Sequence, residues 1–505
     1  TAGDDGRRHR LARMGSTPLH RSAAAALLVA ATIASTPLAR AIDQRKPPLP
    51  ARVWYVDNAA ASDGDGSMVA PFDRLARAER AADAGDTIYV FRGDGTSRGL
   101  DGGIRLRSGQ RLVGSGAPFT PEGEGPLPAG EPPLLSAAAG PVVTLADHVR
   151  LEGLAVSAHG AVAVSGDDVA DVRLAALHVD GALRLRDPSG PVRVESTDLR
   201  ATGTPALTIE SARGTARVEL DGVTLAGGEA GGEGLSVRVT GDAAITVAAA
   251  STVLEGVTGN GFALAADGHA RLRFELSGSG LVGELPGGTA AALAAVARGD
   301  GRLEIALRGN DLPARESALV LAANGRGRLQ AELLANVVGG AGASRGIVLL
   351  LGDAGEAALT LAGNRIAGQR AEAVYAVAAA RTSLGIAARD NDLASGSAIG
   401  TASYPALLVE SNGEGRACVT LAENRFAEGS AGAPSVAVRQ RDTGNVALGG
   451  YEPAVAGDVS QRLAANNRLS RAVVEGDRPL ADPATAPCVA LPAPRPAVVA
   501  TGAAN

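Results

Sequence analysis

Five stretches in the second half of the chain share one internal length. Ala292 to Asn310, Ala318 to Asn336, Gly346 to Asn364, Ala373 to Asn391 and Ala406 to Asn424 each advance by the same interval of eighteen from a small residue to an asparagine. Gly261 to Ser279 and Gly234 to Thr252 keep that interval without the asparagine, and Ala206 to Val223 is one residue shorter. Self-similarity at a fixed interval marks a chain built of stacked supersecondary units, none of which buries its apolar face alone. Length agrees, since 505 residues exceed what one compact core holds.

Within each copy the apolar residues recur at every second position. Leu319 and Leu321, Ile347 and Leu349, and Phe262 and Leu264 open their copies; Leu303, Ile305 and Leu307, or Leu272, Phe274 and Leu276, follow. A third apolar position comes just after the asparagine, as in Leu312, Val338, Ile366, Leu393 and Phe426. Spacing of two predicts strands with one buried face. Turns such as Asn324-Gly325 and Asn412-Gly413 separate the groups. Three one-sided strands per copy enclose a core only by coiling, so the expected fold is all-β, a three-sided parallel β-helix. Aromatic residues make up only 2% of the chain, which suits regular stacking of small side chains rather than a large-aromatic core.

Asn310, Asn336, Asn364, Asn391 and Asn424 are expected at one corner of the coil, each side-chain amide bonding to the copies above and below while its backbone takes the left-handed conformation of a sharp turn. Asparagines repeated by descent in an ordinary surface turn are the alternative; both readings are structural. The connection after the asparagine varies, with steps of eight, ten, nine and fifteen between successive copies from Asn310 to Ala406. Loops gathered on one side of a solenoid, with the adjacent strand face, are where a ligand is expected first.

Val149 to Leu154, Val172 to Leu177 and Val192 to Leu199 carry the same strand grammar, their closing leucines separated by twenty-three and then twenty-two. The expected organisation is a signal peptide at 1–41, an N-terminal cap and first coil at 42–134, β-helix repeats at 135–450, a C-terminal cap segment at 451–488 and a disordered Pro/Ala-rich tail at 489–505. Pro71 to Ala82 reads as a short amphipathic capping helix with Phe72 and Leu75 on one face. Cys418 falls between two inward positions, so its side chain should point outward and bridge to Cys488, the only other cysteine.

Segment 1–41 combines a basic start, an apolar run from Ser22 to Ser35 and the small-x-small triplet Ala39-Arg40-Ala41, the pattern of an export signal whose true start is expected at Met14. The apolar run is short for a membrane span, and no later segment is long enough. Removing six arginines and two aspartates with this segment takes the net charge from -6 to -10. An acidic surface does not suit a nucleic-acid backbone, so nucleic acid is not an expected partner. Lys46 is the sole lysine, which leaves the folded body without lysine chemistry.

Tyr55-Val-Asp, Gly64-Asp-Gly-Ser67, Pro71-Phe72, Gly85-Asp-Thr-Ile88, Gly93-Asp-Gly-Thr96 and Gly109-Gln-Arg-Leu-Val-Gly114 resemble the N-terminal cap and first coil of the pectin-lyase-like superfamily of right-handed parallel β-helices, especially autotransporter-passenger-like secreted bacterial proteins. That resemblance implies the right-handed fold. It implies activity poorly, because the superfamily includes lyases, hydrolases and adhesins. A self-translocating member needs a C-terminal membrane barrel, and no such strand pattern follows Cys488.

Lyases on this scaffold use clustered carboxylates for Ca²⁺ and an Arg or Lys base; the hydrolases use several aspartates with a His. The nearest grouping is His159-Gly160, Asp167-Asp168 and Arg173, in the wrong order for the hydrolase pattern. Asp63-Gly-Asp65-Gly-Ser67 has the density of a Ca²⁺ loop without a later bidentate carboxylate, and reads as a turn. Arg92-Gly93-Asp94 reads as part of another turn, and His148, His178 and His269 lack metal-ligand spacing. Tyr375 and Tyr404 are isolated, so an aromatic sugar platform is not offered. The expectation is therefore a non-catalytic secreted or cell-surface protein acting through its long face, without a cofactor, toward a polysaccharide or cell-surface ligand. A polysaccharide lyase or glycoside hydrolase is the alternative, and only there is Ca²⁺ expected.

Overall fold

The computed structural model describes residues 51–493 except 124, 228–231, 283–289, 314–315, 341–342, 397–402, 428–431, 451–458 and 477. The expected signal peptide lies outside the described residues. The chain is an all-β parallel solenoid. Its long sheet stacks fifteen parallel strands from Val53–Val56 to Asn445–Leu448. The two remaining walls join into one closed set. In the early coils a single strand bends across the corner: His178–Arg186 pairs with both Asp198–Ala201 and Leu207–Ser211. Later coils divide the same path between a short strand such as Val337–Val338 and a longer one such as Arg345–Leu351.

Register explains the core. In the long sheet Leu276, Leu307, Leu333 and Leu361 are partners on successive strands, and all are buried. Phe262, Phe274 and Phe426 also point inward. Each leucine removed from water in this stack contributes on the order of 2 kcal/mol. Alternate positions face outward.

Between the long sheet and the short wall lies the asparagine corner. Asn336 donates its backbone N–H and its Nδ2 to Oδ1 of Asn364, at 2.9 and 3.0 Å, and a second Nδ2 bond reaches Leu307 O at 2.9 Å. The same triplet repeats from Asn310 through Asn424 and ends on Asn467. Above Asn310 the column continues as Ser279 and Thr252. The left-handed residue at the corner is not the asparagine but the one before it: Gly309, Ala335, Gly363, Asp390 and Glu423 have φ between 55° and 63°. Turning the chain one residue earlier leaves the asparagine free to aim its amide along the stack.

The stack reaches beyond 135–450 at both ends. Val53–Val56, Thr87–Val90 and Arg111–Gly114 already belong to the long sheet, and Ala472–Glu475 pairs with Val436–Gln440. Helix α1, Leu75–Ala81, buries Leu75 and Ala78 over one end of the core. Helix α2, Val459–Asn466, buries Val459 and Leu463 at the other end and accepts Asn467 Nδ2 on Leu463 O at 3.0 Å.

Cys418 bridges Cys488. Cys418 stands on an outward position yet is buried, because a strap formed by residues 478–493 crosses the outside of the last strands. Ala481 N–H donates to Val446 O at 2.9 Å and Arg389 Nη1 to Pro492 O at 2.7 Å. A Cβ on Gly385 would collide with Val489 Cγ2. Residues 489–493, expected as the start of a disordered tail, therefore lie against the sheet; 494–505 are outside the described residues.

Candidate functional site

Because the inward positions are consumed by stacking, chemistry must sit on the outer walls. On the long sheet the outward side chains form columns, one residue per coil. Most of their charges are paired between neighbouring strands. Arg173 reaches Glu195 at 2.7 Å, Arg193 reaches Glu219 at 2.9 Å, Arg308 reaches Glu332 at 3.0 Å and Arg328 reaches Glu356 at 3.0 Å. Two guanidinium bonds, from Arg217 first and then Arg193, hold the Glu219 carboxyl below its ordinary value despite partial desolvation.

Midway along this sheet lies a groove of about 720 Å³. Its floor is made of short outward side chains, Thr215, Ala244 and Thr246. Arg217, Arg271, Arg273 and Arg302 rim it, with Glu304 as the one carboxylate among the lining residues. Arg273 is engaged by Glu275 at 2.7 Å and by Glu304 at 3.2 Å, and Arg217 by Glu219 at 2.7 Å. These contacts, the Glu275 hydrogen bond foremost, raise the Arg273 guanidinium above its usual value. Arg271 and Arg302 are direct register partners on adjacent strands, and neither forms an ion pair with a carboxylate among the described residues. The groove can thus hold an anion against two unengaged guanidinium groups, beside a floor of methyl and hydroxyl groups.

A second cleft, of about 450 Å³, lies on the short wall. His178 Nδ1 is 3.0 Å from Asp198 Oδ2, which leaves Nε2 outward. Two residues along the same strand face, Asp180 accepts a hydrogen bond from Ser157 Oγ at 2.9 Å. A histidine oriented by one carboxylate, with another carboxylate nearby, is an acid–base pairing in kind.

The residues singled out in sequence do not converge. Asp167 ends the strand Ala155–Asp167; Asp168, with φ 55°, pairs with Arg213, while Arg173 belongs to the Glu195 pair. The side chain of His159 is outside the described residues. Asp65 accepts from Ser67 N–H at 2.9 Å, closing a turn, and this bond draws its carboxyl below the ordinary value. Asp94 is tied to Asn58 Nδ2 at 2.7 Å and to Thr96, so Arg92-Gly93-Asp94 is held in a structural turn. His148 pairs with Asp171 at 3.2 Å and His269 with Asp300 at 3.7 Å. Tyr375 lies under the Arg345 guanidinium, 4.8 Å from its ring centre. Among the described residues no group of three or more His, Cys, Asp or Glu is placed to hold a metal ion.

Sequence reasoning missed Arg271 and Arg302. The signal was present in the aligned hexamers Arg271-Leu-Arg-Phe-Glu-Leu276, Arg302-Leu-Glu-Ile-Ala-Leu307 and Arg328-Leu-Gln-Ala-Glu-Leu333, which stack an arginine on an arginine once their apolar residues are superposed.

No family model matches the chain, and no curated protein matches it. Solved structures that resemble it include two enzymes by name. One is the GH136 lacto-N-biosidase from Eubacterium ramulus, 9% identical, covering 84% of this chain and 68% of that one, with a TM-score of 0.22. The other is the A-module of a mannuronan C-5 epimerase from Azotobacter vinelandii, 14% identical, covering 84% of this chain and 100% of that one, with a TM-score of 0.19. Likenesses this slight carry no argument about activity. No helix among the described residues is long and apolar enough to cross a membrane.

Proposed function

We propose that this chain is an exported, non-catalytic β-helix that acts through the outer face of its long sheet, in adhesion or in extracellular or envelope contact. The role agrees with the autotransporter-passenger-like group that its opening stretch resembles. One observation carries the reading: the outer face is register-locked over many coils and carries a groove whose rim arginines include two that are not spent on ion pairs. A surface of fixed columns can contact an extended ligand along its length with little ordering cost. Export and the bridge between Cys418 and Cys488 belong together, since disulfides persist in oxidising compartments. The test is retention of the purified mature chain on isolated cell envelopes and on immobilised extracellular polysaccharides. Failure to bind either overturns the proposal.

The His178 cleft favours a second reading, a polysaccharide lyase or glycoside hydrolase, in which His178 and Asp180 serve as the acid–base residues and Ca²⁺ joins if a uronate is the substrate. Incubation with polyuronates, with and without Ca²⁺, while following unsaturated products and new reducing ends separates the two. Turnover that disappears in His178→Ala establishes the enzyme and removes the non-catalytic role.

A further inference from the structure

The two unengaged arginines carry a cost that the folded chain does not itself offset. Register partners on adjacent parallel strands are about 4.8 Å apart, and like charges placed directly opposite destabilise a sheet. Arg271, Arg302 and Arg328 form such a column on three consecutive strands. Arg328 is relieved by Glu356 on the following strand. Arg271 and Arg302 face the groove, whose other arginines are already engaged by Glu219, Glu275 and Glu304. The chain as a whole has a net charge of -6, so this cationic spot runs against the sign of the molecule.

We propose that the groove binds a sulfate-ester or phosphate-ester group on a linear extracellular glycan, with Arg271 and Arg302 as the anion ligands. The inference rests on the long sheet being a binding face, and names what that face binds. A carboxylate has two oxygens in one plane, which two guanidinium groups can share as Arg193 and Arg217 share Glu219, but without a bidentate grip for each. An ester of a tetrahedral oxyanion has three terminal oxygens and accepts from both. The sugar carrying it lies on Thr215, Ala244 and Thr246, where hydroxyls meet ring oxygens and the alanine methyl meets a ring face. Toward the N-terminal end the groove is continued by Gly190 and Pro191, the register partners of Ala216 and Arg217.

The experiment titrates the full chain with dextran sulfate, phosphomannan, polygalacturonate and neutral dextran by calorimetry. Binding to the sulfated or the phosphorylated polymer, tighter than to polygalacturonate by about ten-fold or more, is the expected result, and the tighter of the two identifies the ester. Arg271→Gln with Arg302→Gln lowers that affinity at least about ten-fold, whereas Arg416→Gln, an outward arginine of the same column flanked by Ser383 and Asn445, leaves it unchanged. Arg271→Lys with Arg302→Lys keeps the charge, loses the planar fork, and recovers only part of the affinity. Polygalacturonate binding as tight as the sulfated polymer, an unaffected double variant, or equal loss in Arg416→Gln each overturns the site. A chain that is retained on envelopes but binds none of the charged polymers sinks this inference while leaving the proposed function standing.

Discussion

Replacing Asn364 by alanine tests whether the corner column is a working ladder. In the folded chain Asn364 Oδ1 accepts from the backbone N–H and from Nδ2 of Asn336, at 2.9 and 3.0 Å. Its own Nδ2 donates to Leu333 O at 2.8 Å and to Asn391 Oδ1 at 2.9 Å. All four bonds vanish with the side chain. The Asn336 backbone N–H and one of its amide hydrogens are left in a site too buried for water, since Asn336 and Asn364 are 1% and 2% exposed. Each orphaned buried donor costs about 1–3 kcal/mol, so the change costs about 3–5 kcal/mol. Coils of a solenoid couple to their neighbours, so the loss is local. Hydrogen exchange should show protection of strands Arg328–Leu334 and Glu356–Ala362 falling by about two orders of magnitude or more, with Ser189–Glu195 unaffected. Asn364→Ser should cost about half as much, because Ser279 already fills this position and its Oγ accepts from Thr252 N–H at 3.0 Å. A drop in protection under about ten-fold for Asn364→Ala would refute the ladder as a source of stability.

Cys488→Ser removes a link that closes a 70-residue separation, about 4 kcal/mol in a chain-entropy treatment, and should expose the strap to limited proteolysis while the coils stay resistant. Unchanged cleavage would show that packing alone holds it. Gly385→Val drives a Cβ into Val489 Cγ2 and Pro487 O, and should loosen the same segment with the bridge intact. Glu219→Gln tests the paired column through pH. The Glu219 carboxyl is held below its ordinary 4.5, so its contribution is full above that value and is lost as pH falls below it. The variant should melt below wild type near neutrality, and the gap should close on acidification; a gap that persists in acid would refute the charge pairing.

How far these features were legible depends on whether they repeat. The inward residues Leu303, Ile305 and Leu307 announced their wall by spacing alone, and parity against Ala417 and Val419 placed Cys418 outside. Asn467 was not legible as the last rung: a separation of 43, spanning helix α2, divides it from Asn424 and breaks the interval. The left-handed corner residue was hidden because five positions fill it with glycine, alanine and two kinds of carboxylate, so no one side chain marks it. Arg271 and Arg302 lie on separate coils and become neighbours only through register, and coil length varies, so the next step, to Arg328, is shorter. Pairing across coils is a tertiary fact, and a single copy of the repeat does not contain it.

Short side chains on outward positions of the long sheet have contrasting surroundings in two stretches. In the last strands these are Gly385, Ala387, Cys418 and Ala447, and there the reason is visible, because the strap lies on them. Larger residues would push it off. In the middle strands the short residues are Thr215, Ala244 and Thr246, at the floor of the arginine-rimmed groove. No segment of the described chain covers them, and Thr215 is exposed. The contrast gives the groove its meaning. Of these two recesses in a wall that carries many Arg–Glu pairs, one is filled by the chain itself through an apolar and disulfide-held contact, and the other is open beside two guanidinium groups without an ion pair. On the proposal made above, the occupant of the second comes from outside and carries the anion that Arg271 and Arg302 have no partner for.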